Sequence, residues 1–200
     1  RQGCLSALEM LAAMAPLNDR LEQEAKEEGR KHIPLRVGLG LNSGECVVGN
    51  MGTAQRMDYS VLGDTVNTAA RLEGQSKNYG VDIVIGPNTL VQVPELATIE
   101  LDIVQVKGKT EGVHIFALLG DEEIAQKEDF RALHDATNEM IAAYRGQDWK
   151  RARDFVGTCR GLVSEYRIAG LYDLYETRID DYEVNPPAAD WDGVFIATTK

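Results

Sequence analysis

The sequence predicts an α+β fold over its first 120 residues and a small α-helical tail over residues 121–200. Three observations carry this reading. Leu35, Val37, Leu39 and Leu41 alternate with period two, the spacing of a strand with one buried face. Leu5, Leu8, Leu11, Ala12, Leu17 and Leu21 recur at helical spacing, as do Phe130, Leu133, Ala136, Met140, Ile141 and Tyr144. Between these stretches, short apolar runs and helical segments follow one another in the order of an α+β domain.

Residues 2–28 read as the first helix, apolar early and charged late, with Pro34 as the stop signal. Residues 35–41 form a strand. Asn42-Ser43-Gly44 is a turn, and residues 45–49 return as a second strand. A polar loop over 50–58 leads to a short strand at 59–62. Gly63 takes a tight turn, and Asp64 or Thr65 caps the next helix, which ends near Tyr79-Gly80. Residues 82–85 are a short buried strand. Pro87 opens a short helix reaching residue 93. Residues 99–106 and 113–119 pair antiparallel around Lys107-Gly108-Lys109.

Gly120-Asp121-Glu122-Glu123 marks a linker. The helical stripe that follows is broken at residues 146–149 and resumes with Ala152, Phe155, Val156 and Leu162. The spacing of Tyr144, Gly146, Trp149 and Ala152 is similar to the turn of a tetratricopeptide helix pair, here as one unit where an array needs several. Residues 171–184 give a third helix, stopped by Pro186-Pro187. Residues 191–198 are a short apolar tail expected to dock on the helices.

Composition narrows the function classes. A net charge of -11 argues against non-specific nucleic-acid binding, yet a local basic site for an acidic nucleotide can coexist with it. No apolar run approaches the roughly 20 residues that span a bilayer, and no signal peptide is visible. Cys4, Cys46 and Cys159 have no metal-ligand spacing, suit a reducing compartment, and read as small buried hydrophobes. His32, His114 and His134 are isolated, so structural or solvated roles fit them. The first residue is Arg, which leads to the expectation that further sequence precedes it.

The chemistry concentrates after Gly63. Asn67 and Arg71 stand four residues apart, so their side chains share one helix face, and small Thr68, Ala69 and Ala70 let that helix pack closely. An isolated Asn/Arg pair is most often a solvated face. Beside a glycine turn, a carboxamide and a guanidinium suit a polyanion such as a phosphate in transit.

Gly63-Asp64-Thr65-Val66-Asn67-Thr68-Ala69-Ala70-Arg71-Leu72-Glu73 resembles the signature of class III nucleotidyl cyclases, the adenylate and guanylate cyclase family. Upstream, the segment from Arg36 through Gly38, Gly40, Gly44 and Gly49 to Gly52 is similar to the hairpin that precedes it in that family. Val106-Lys107-Gly108-Lys109 resembles the family's triphosphate-contacting element. The resemblance covers about residues 1–120. It implies the C-terminal part of a ferredoxin-like cyclase catalytic domain of bacterial type, incomplete because its N-terminal strands are absent.

The resemblance also implies roles. Asn67 would orient the ribose and Arg71 would stabilise charge on the reacting phosphate. Lys107, with Lys109 the weaker candidate, would contact the terminal phosphates. Ser60 would read the purine edge and Val61 would give backbone and apolar contact to the base. Serine at position 60 departs from the aspartate of well-known adenylate cyclases and resembles bacterial members with a hydroxyl there. A hydroxyl donates or accepts, so it does not by itself separate adenine from guanine.

Family members use magnesium or manganese held by two aspartates, and nothing in this chain matches either aspartate motif. Asp58, Asp64 and Asp82 stand in other contexts. The ligands are therefore expected in a segment upstream, and residues 1–200 alone are expected to be inactive. The implied partners are ATP and a second copy of the chain, with no nucleic acid and no membrane contact from this segment. The implied location is cytoplasmic, with room for an upstream membrane sensor. Without the upstream strands, exposed core surface is expected, covered by a partner chain. Guanylate cyclase, a non-catalytic regulatory or dimerisation module, and a helical adaptor built on residues 125–185 remain alternatives.

Overall fold

The computed structural model describes residues 1–53, 55–105 and 112–196. Lys107 and Lys109 lie outside them. The elements are α1 (Gln2–Glu27), β1 (Leu39–Leu41), β2 (Val47–Thr53), β3 (Arg56–Leu62), α2 (Asp64–Tyr79), β4 (Ile83–Ile85), α3 (Pro87–Leu90), β5 (Ala97–Gln105), β6 (Val113–Gly120), α4 (Glu122–Gln126), α5 (Glu128–Arg145), α6 (Trp149–Leu162), α7 (Ala169–Val184) and β7 (Val194–Ile196). A single 3-10 turn, Val163–Glu165, joins α6 to the segment before α7.

Five strands form one mixed sheet in the order β1-β4-β6-β5-β7, and β2-β3 form a separate antiparallel ribbon. The large sheet is covered on one face by α2 and the tail, and on the other by α1 over β1, β4 and β6. Every residue of β4 is buried, the continuous apolar run of a strand without a wet side. Its alternate residues enter different cores. Ile83 and Ile85 join Cys4 and Ala7 of α1, while Val84 joins Leu72 and Tyr79 of α2. Strand β6 splits the same way, with Ile115 and Ala117 on the α2 side and Leu118 on the α1 side.

Gly40 explains how α2 reaches the sheet. A Cβ there would lie 2.3 Å from the Ala69 carbonyl oxygen and 2.3 Å from the Glu73 nitrogen, so the helix backbone rests directly on β1.

Several boundaries differ from the sequence expectation. Strand β1 is three residues long rather than residues 35–41, because β4 gives it partners only for Leu39–Leu41. Leu35 is instead held by the Asn18 carboxamide, which accepts from its nitrogen at 2.7 Å and donates to its oxygen at 3.0 Å. Residues 45–49 do not return against β1, which pairs parallel with β4. The turn after β1 is tied elsewhere: Asn42 donates to the Thr65 oxygen (3.2 Å), and Ser43 and Thr89 hydroxyls meet at 3.0 Å. The chain then makes its hairpin from β2 and β3, which run through most of the expected polar loop, with Met51 opposite Asp58 and Thr53 opposite Arg56. A ribbon exposed on both faces needs no apolar alternation, so its polar residues concealed it. The helix after Pro87 ends at Leu90, followed by turns.

The expected linker is ordered structure. Gly120 ends β6, and Asp121 caps α4 by accepting from the Glu123 and Ile124 nitrogens, both at 3.1 Å. The tail then packs onto the sheet without a gap in its core. Leu72, Ile99 and Ile115 share one buried cluster with Leu133, Met140, Val156, Tyr172 and Ile179. Helices α5 and α6 turn at residues 146–148, where Asp148 accepts from the Arg151 nitrogen at 3.1 Å. Tyr144, Trp149, Tyr182 and Trp191 form an aromatic cluster that seats the C-terminal segment, with Tyr144 and Trp191 edge-to-face at 5.3 Å. Among the described residues, no helix is long and apolar enough to cross a membrane.

Candidate functional site

The chain enters α2 through an abrupt corner. β3 ends at Leu62, Gly63 takes φ 151°, a region that favours glycine, and α2 starts at Asp64. The cap position falls on Gly63, which lacks a side chain, rather than on the expected Asp64 or Thr65. The Gly63 carbonyl accepts from the Val66 and Asn67 nitrogens at 3.1 and 3.2 Å. Residues 42–46 support this corner from below. A Cβ at Gly44 would lie 2.5 Å from the Thr65 hydroxyl, and one at Gly63 would lie 3.3 Å from the Glu45 oxygen.

Helix α2 buries Thr68, Leu72, Ser76 and Tyr79 against the sheet and tail. Asn67 and Arg71 sit one position before two of these, on the adjoining face. Asn67 is exposed and Arg71 is half-buried. Neither side chain has a hydrogen-bond or ion-pair partner among the described residues. Both lie in the first half of α2.

Ser60 and Val61 end the hairpin strand that feeds the corner. Ser60, half-buried, stands opposite Gly49, and Val61, exposed, stands opposite Val48. The fold thus sets Ser60, Val61, Asn67 and Arg71 along one strand–turn–helix unit. Lys107 follows directly on β5, outside the described residues.

The hairpin itself is apolar and bare. By strand alternation Met57, Tyr59 and Val61 share one face with Val48 across the ladder, and Tyr59 is 75% exposed. Val47 and Leu62 are exposed on the other face.

A cleft of about 660 Å³ opens elsewhere, between residues 36–38, the C-terminal half of α2 and residues 166–170. None of Ser60, Val61, Asn67 and Arg71 lines it.

The other expected side chains have structural surroundings. Cys4 and Cys159 are buried, and burial pushes both thiols up. Cys46 is exposed, contrary to expectation, because it lies just before the bare hairpin. His114 and Arg145 both meet Glu100 at 2.8 Å, and His134 meets Asp135 at 3.2 Å.

Sequence reasoning missed one polar cluster altogether. Asp102 on β5 and Arg178 on α7 are 0% and 7% exposed and pair at 2.6 Å. The Tyr79 hydroxyl at the end of α2 donates to Asp102 at 2.7 Å and accepts from Arg178 at 3.3 Å. Burial, the largest influence, would pull the Arg178 guanidinium down, but Asp102 together with Tyr79, Tyr144 and Tyr175 outweighs it and holds the group above its ordinary value. The legible signal was a charge inside an apolar run, Asp102 between Leu101 and Ile103; Arg178, among Glu176, Asp180 and Asp181, gave none.

The family described as adenylate and guanylate cyclase catalytic domain matches residues 3–120. An adenylate cyclase of Anabaena cylindrica is 34% identical over 116 residues, 56% of this chain and 22% of that protein. Adenylate cyclase 1 of Rhizobium meliloti is 30% identical over 106 residues, 52% of this chain and 16% of that protein. The chain spans less than a quarter of the length of these relatives. Among solved structures, the adenylyl cyclase CyaB from P. aeruginosa aligns with a TM-score of 0.46 at 31% identity, over 57% of this chain and 58% of that one. The guanylyl cyclase Cya2 aligns with a TM-score of 0.44 at 32% identity, over 56% and 54%.

Proposed function

The chain belongs to the adenylate and guanylate cyclase catalytic-domain family, and from that membership we propose that it supplies the Asn67–Arg71 half of a nucleotidyl cyclase site shared between two subunits. The reaction is attack of a ribose 3′-oxygen on the α-phosphate, closing a cyclic 3′,5′-monophosphate and releasing pyrophosphate. Asn67 orients the ribose, and the Arg71 guanidinium takes up charge that develops on the phosphate. Lys107 holds the terminal phosphates as a point charge. Ser60 and Val61 line the base.

The observation that carries this reading is the uncommitted state of Arg71. It is half-buried, and no carboxylate among the described residues neutralises it. The apolar hairpin beside it supports assembly as a homodimer, since a bare strip of Met57, Tyr59 and Val61 gains by being covered.

Among the described residues, no group of three His, Cys, Asp or Glu is placed to hold a metal ion. They do not fit the magnesium or manganese that the family uses, and the proposal assigns the ligands of that ion to sequence preceding Arg1. On this reading residues 1–200 alone do not turn over nucleotide.

Adenine is the proposed base, supported by the adenylate cyclases among the relatives. Arg71→Ala in the intact protein tests the role. Turnover of ATP should fall on the order of 100- to 1000-fold, the cost of one donor aimed at a transition state, with dimerisation unchanged. Wild-type turnover in that variant would sink the assignment. A clear preference for GTP, measured side by side with manganese, would make the protein a guanylate cyclase. Nucleotide binding without turnover in the intact wild type would make it a regulatory module.

A further inference from the structure

We propose that the cleft between α2 and the start of α7 binds a small molecule carrying a phosphate and hydroxyl groups; nothing in this depends on the cyclase reading above. The cleft holds about 660 Å³, within the range of small-molecule sites, which leaves room for an organic portion as well as an anion. Tyr79 turns into the buried network, whereas Glu73, Ser76, Lys77 and Gly80 line the cleft from the same helix. Residues 36–38 form a second wall and the start of α7 a third.

Three features bring donors to this one space. Ser76 is 5% exposed and lines the cleft, yet its hydroxyl bonds nothing among the described residues. A buried hydroxyl without a partner is uncommon, because the loss of its water is then uncompensated. Gly38 across the gap keeps that hydroxyl within reach, since a Cβ there would lie 2.3 Å from the Ser76 Oγ. Helix α7 supplies the second feature. It begins at Ala169 with no side-chain cap and no acid in its first turn, and Ala169 and Gly170 line the cleft. Their nitrogens have no acceptor among the described residues, an arrangement that favours a bound oxyanion. The third feature is charge. Arg36 and Lys77 line the cleft, and neither has an ion-pair partner among the described residues.

The acids of the cleft do not cancel these cations. Asp82 is held by Arg167 at 3.0 Å, which leaves Glu73 alone against Arg36 and Lys77. The carbonyl end of α2 is also occupied, because the Ser76 oxygen accepts from the Gly80 and Val81 nitrogens. A phosphate suits the donor set of two cations, a hydroxyl and a helix start, since its oxygens accept from several directions at once. Glu73 then accepts from a hydroxyl of the organic portion, which sets the class as a phosphorylated polyol.

The test titrates the intact protein with ribose 5-phosphate, inorganic phosphate and ribose by calorimetry at fixed ionic strength. Ribose 5-phosphate should bind saturably, inorganic phosphate on the order of 10-fold more weakly, and ribose without detectable heat. Arg36→Gln/Lys77→Gln should weaken ribose 5-phosphate on the order of 10-fold or more, and Ser76→Ala about 5-fold. The double variant should melt like wild type, because both side chains are exposed and unpaired among the described residues. Arg71→Ala should leave this binding unchanged. Equal affinity in wild type and the double variant, or no saturable binding of ribose 5-phosphate, would overturn the proposal. So would loss of binding in Arg71→Ala, which would place the ligand at the start of α2. Inorganic phosphate binding as tightly as ribose 5-phosphate would overturn the organic portion. Absence of nucleotide turnover in the wild type would remove only the cyclase reading.

Discussion

Helix α2 begins and ends in opposite surroundings. Its start is fed by a two-stranded ribbon whose apolar residues meet solvent on both faces, and its first half carries an asparagine and an arginine without partners among the described residues. Its end is sealed: Tyr79 is 1% exposed and bonded to both members of a buried ion pair. One helix thus joins a region built to be completed by something else to a region completed by its own tail. The difference separates the work of the two ends. Stability accumulates where groups are paired and dry, whereas binding capacity stays where donors and apolar surface are left open.

The largest expected effect breaks the sealed end. Arg178→Met leaves Asp102 as an uncompensated buried charge and should cost about 3–5 kcal/mol, read from a denaturant midpoint. Arg71→Ala, at the open end, should leave the same midpoint nearly unchanged, because a guanidinium with no ion-pair partner among the described residues contributes little to folding. Equal destabilisation by the two would erase the contrast.

A second effect sharpens it through pH. Burial pushes the hydroxyls of Tyr79, Tyr144, Tyr172 and Tyr175 above their ordinary value of 10.0. A phenol whose folded value exceeds its unfolded value keeps its proton longer in the folded state. Its contribution is therefore fully present below pH 10 and is lost as pH rises toward the folded value, at about 1.4 kcal/mol per pH unit for each such tyrosine. The tyrosine contribution should stay level up to pH 10 and fall steeply beyond it, with the raised Cys4 and Cys159 thiols beginning a smaller loss from pH 9. Unfolding followed by tyrosinate absorbance checks this, and a flat profile above pH 10 would contradict the sealed environment.

The smallest effect on folding belongs to the ribbon. Met57→Ser with Tyr59→Ser should change stability by about 0.5 kcal/mol or less, since both side chains are already in water. The same pair should weaken self-association roughly tenfold or more, measured by sedimentation. Unchanged association would mean that another surface joins the subunits.

Much of this was legible in the chain. The period-two run at Leu39 and Leu41, the helical stripe of α5 and the glycine corner before α2 each follow from local rules, and the motif around Asn67 and Arg71 stood out before any coordinates. Strand β5 shows where legibility ends. Ala97, Ile99 and Leu101 alternate inward as expected, but a register shift between Glu100 and Asp102 changes the parity, so that Asp102 and Val104 face the core after it. Unbroken alternation would turn Asp102 away from the core, and the bulge places it against Arg178, 76 residues away.

The α+β order of elements, the cyclase-type motif and the face that Asn67 shares with Arg71 can be read locally, because they depend on neighbours within a few residues. Long-range packing alone settles that the strand after β1 pairs with β3, that the tail shares the core of residues 1–120, and that Tyr79, Asp102 and Arg178 meet. Those outcomes turn on contacts between distant segments, where burial makes an unpaired charge too costly to leave alone and a one-residue bulge is enough to choose its partner.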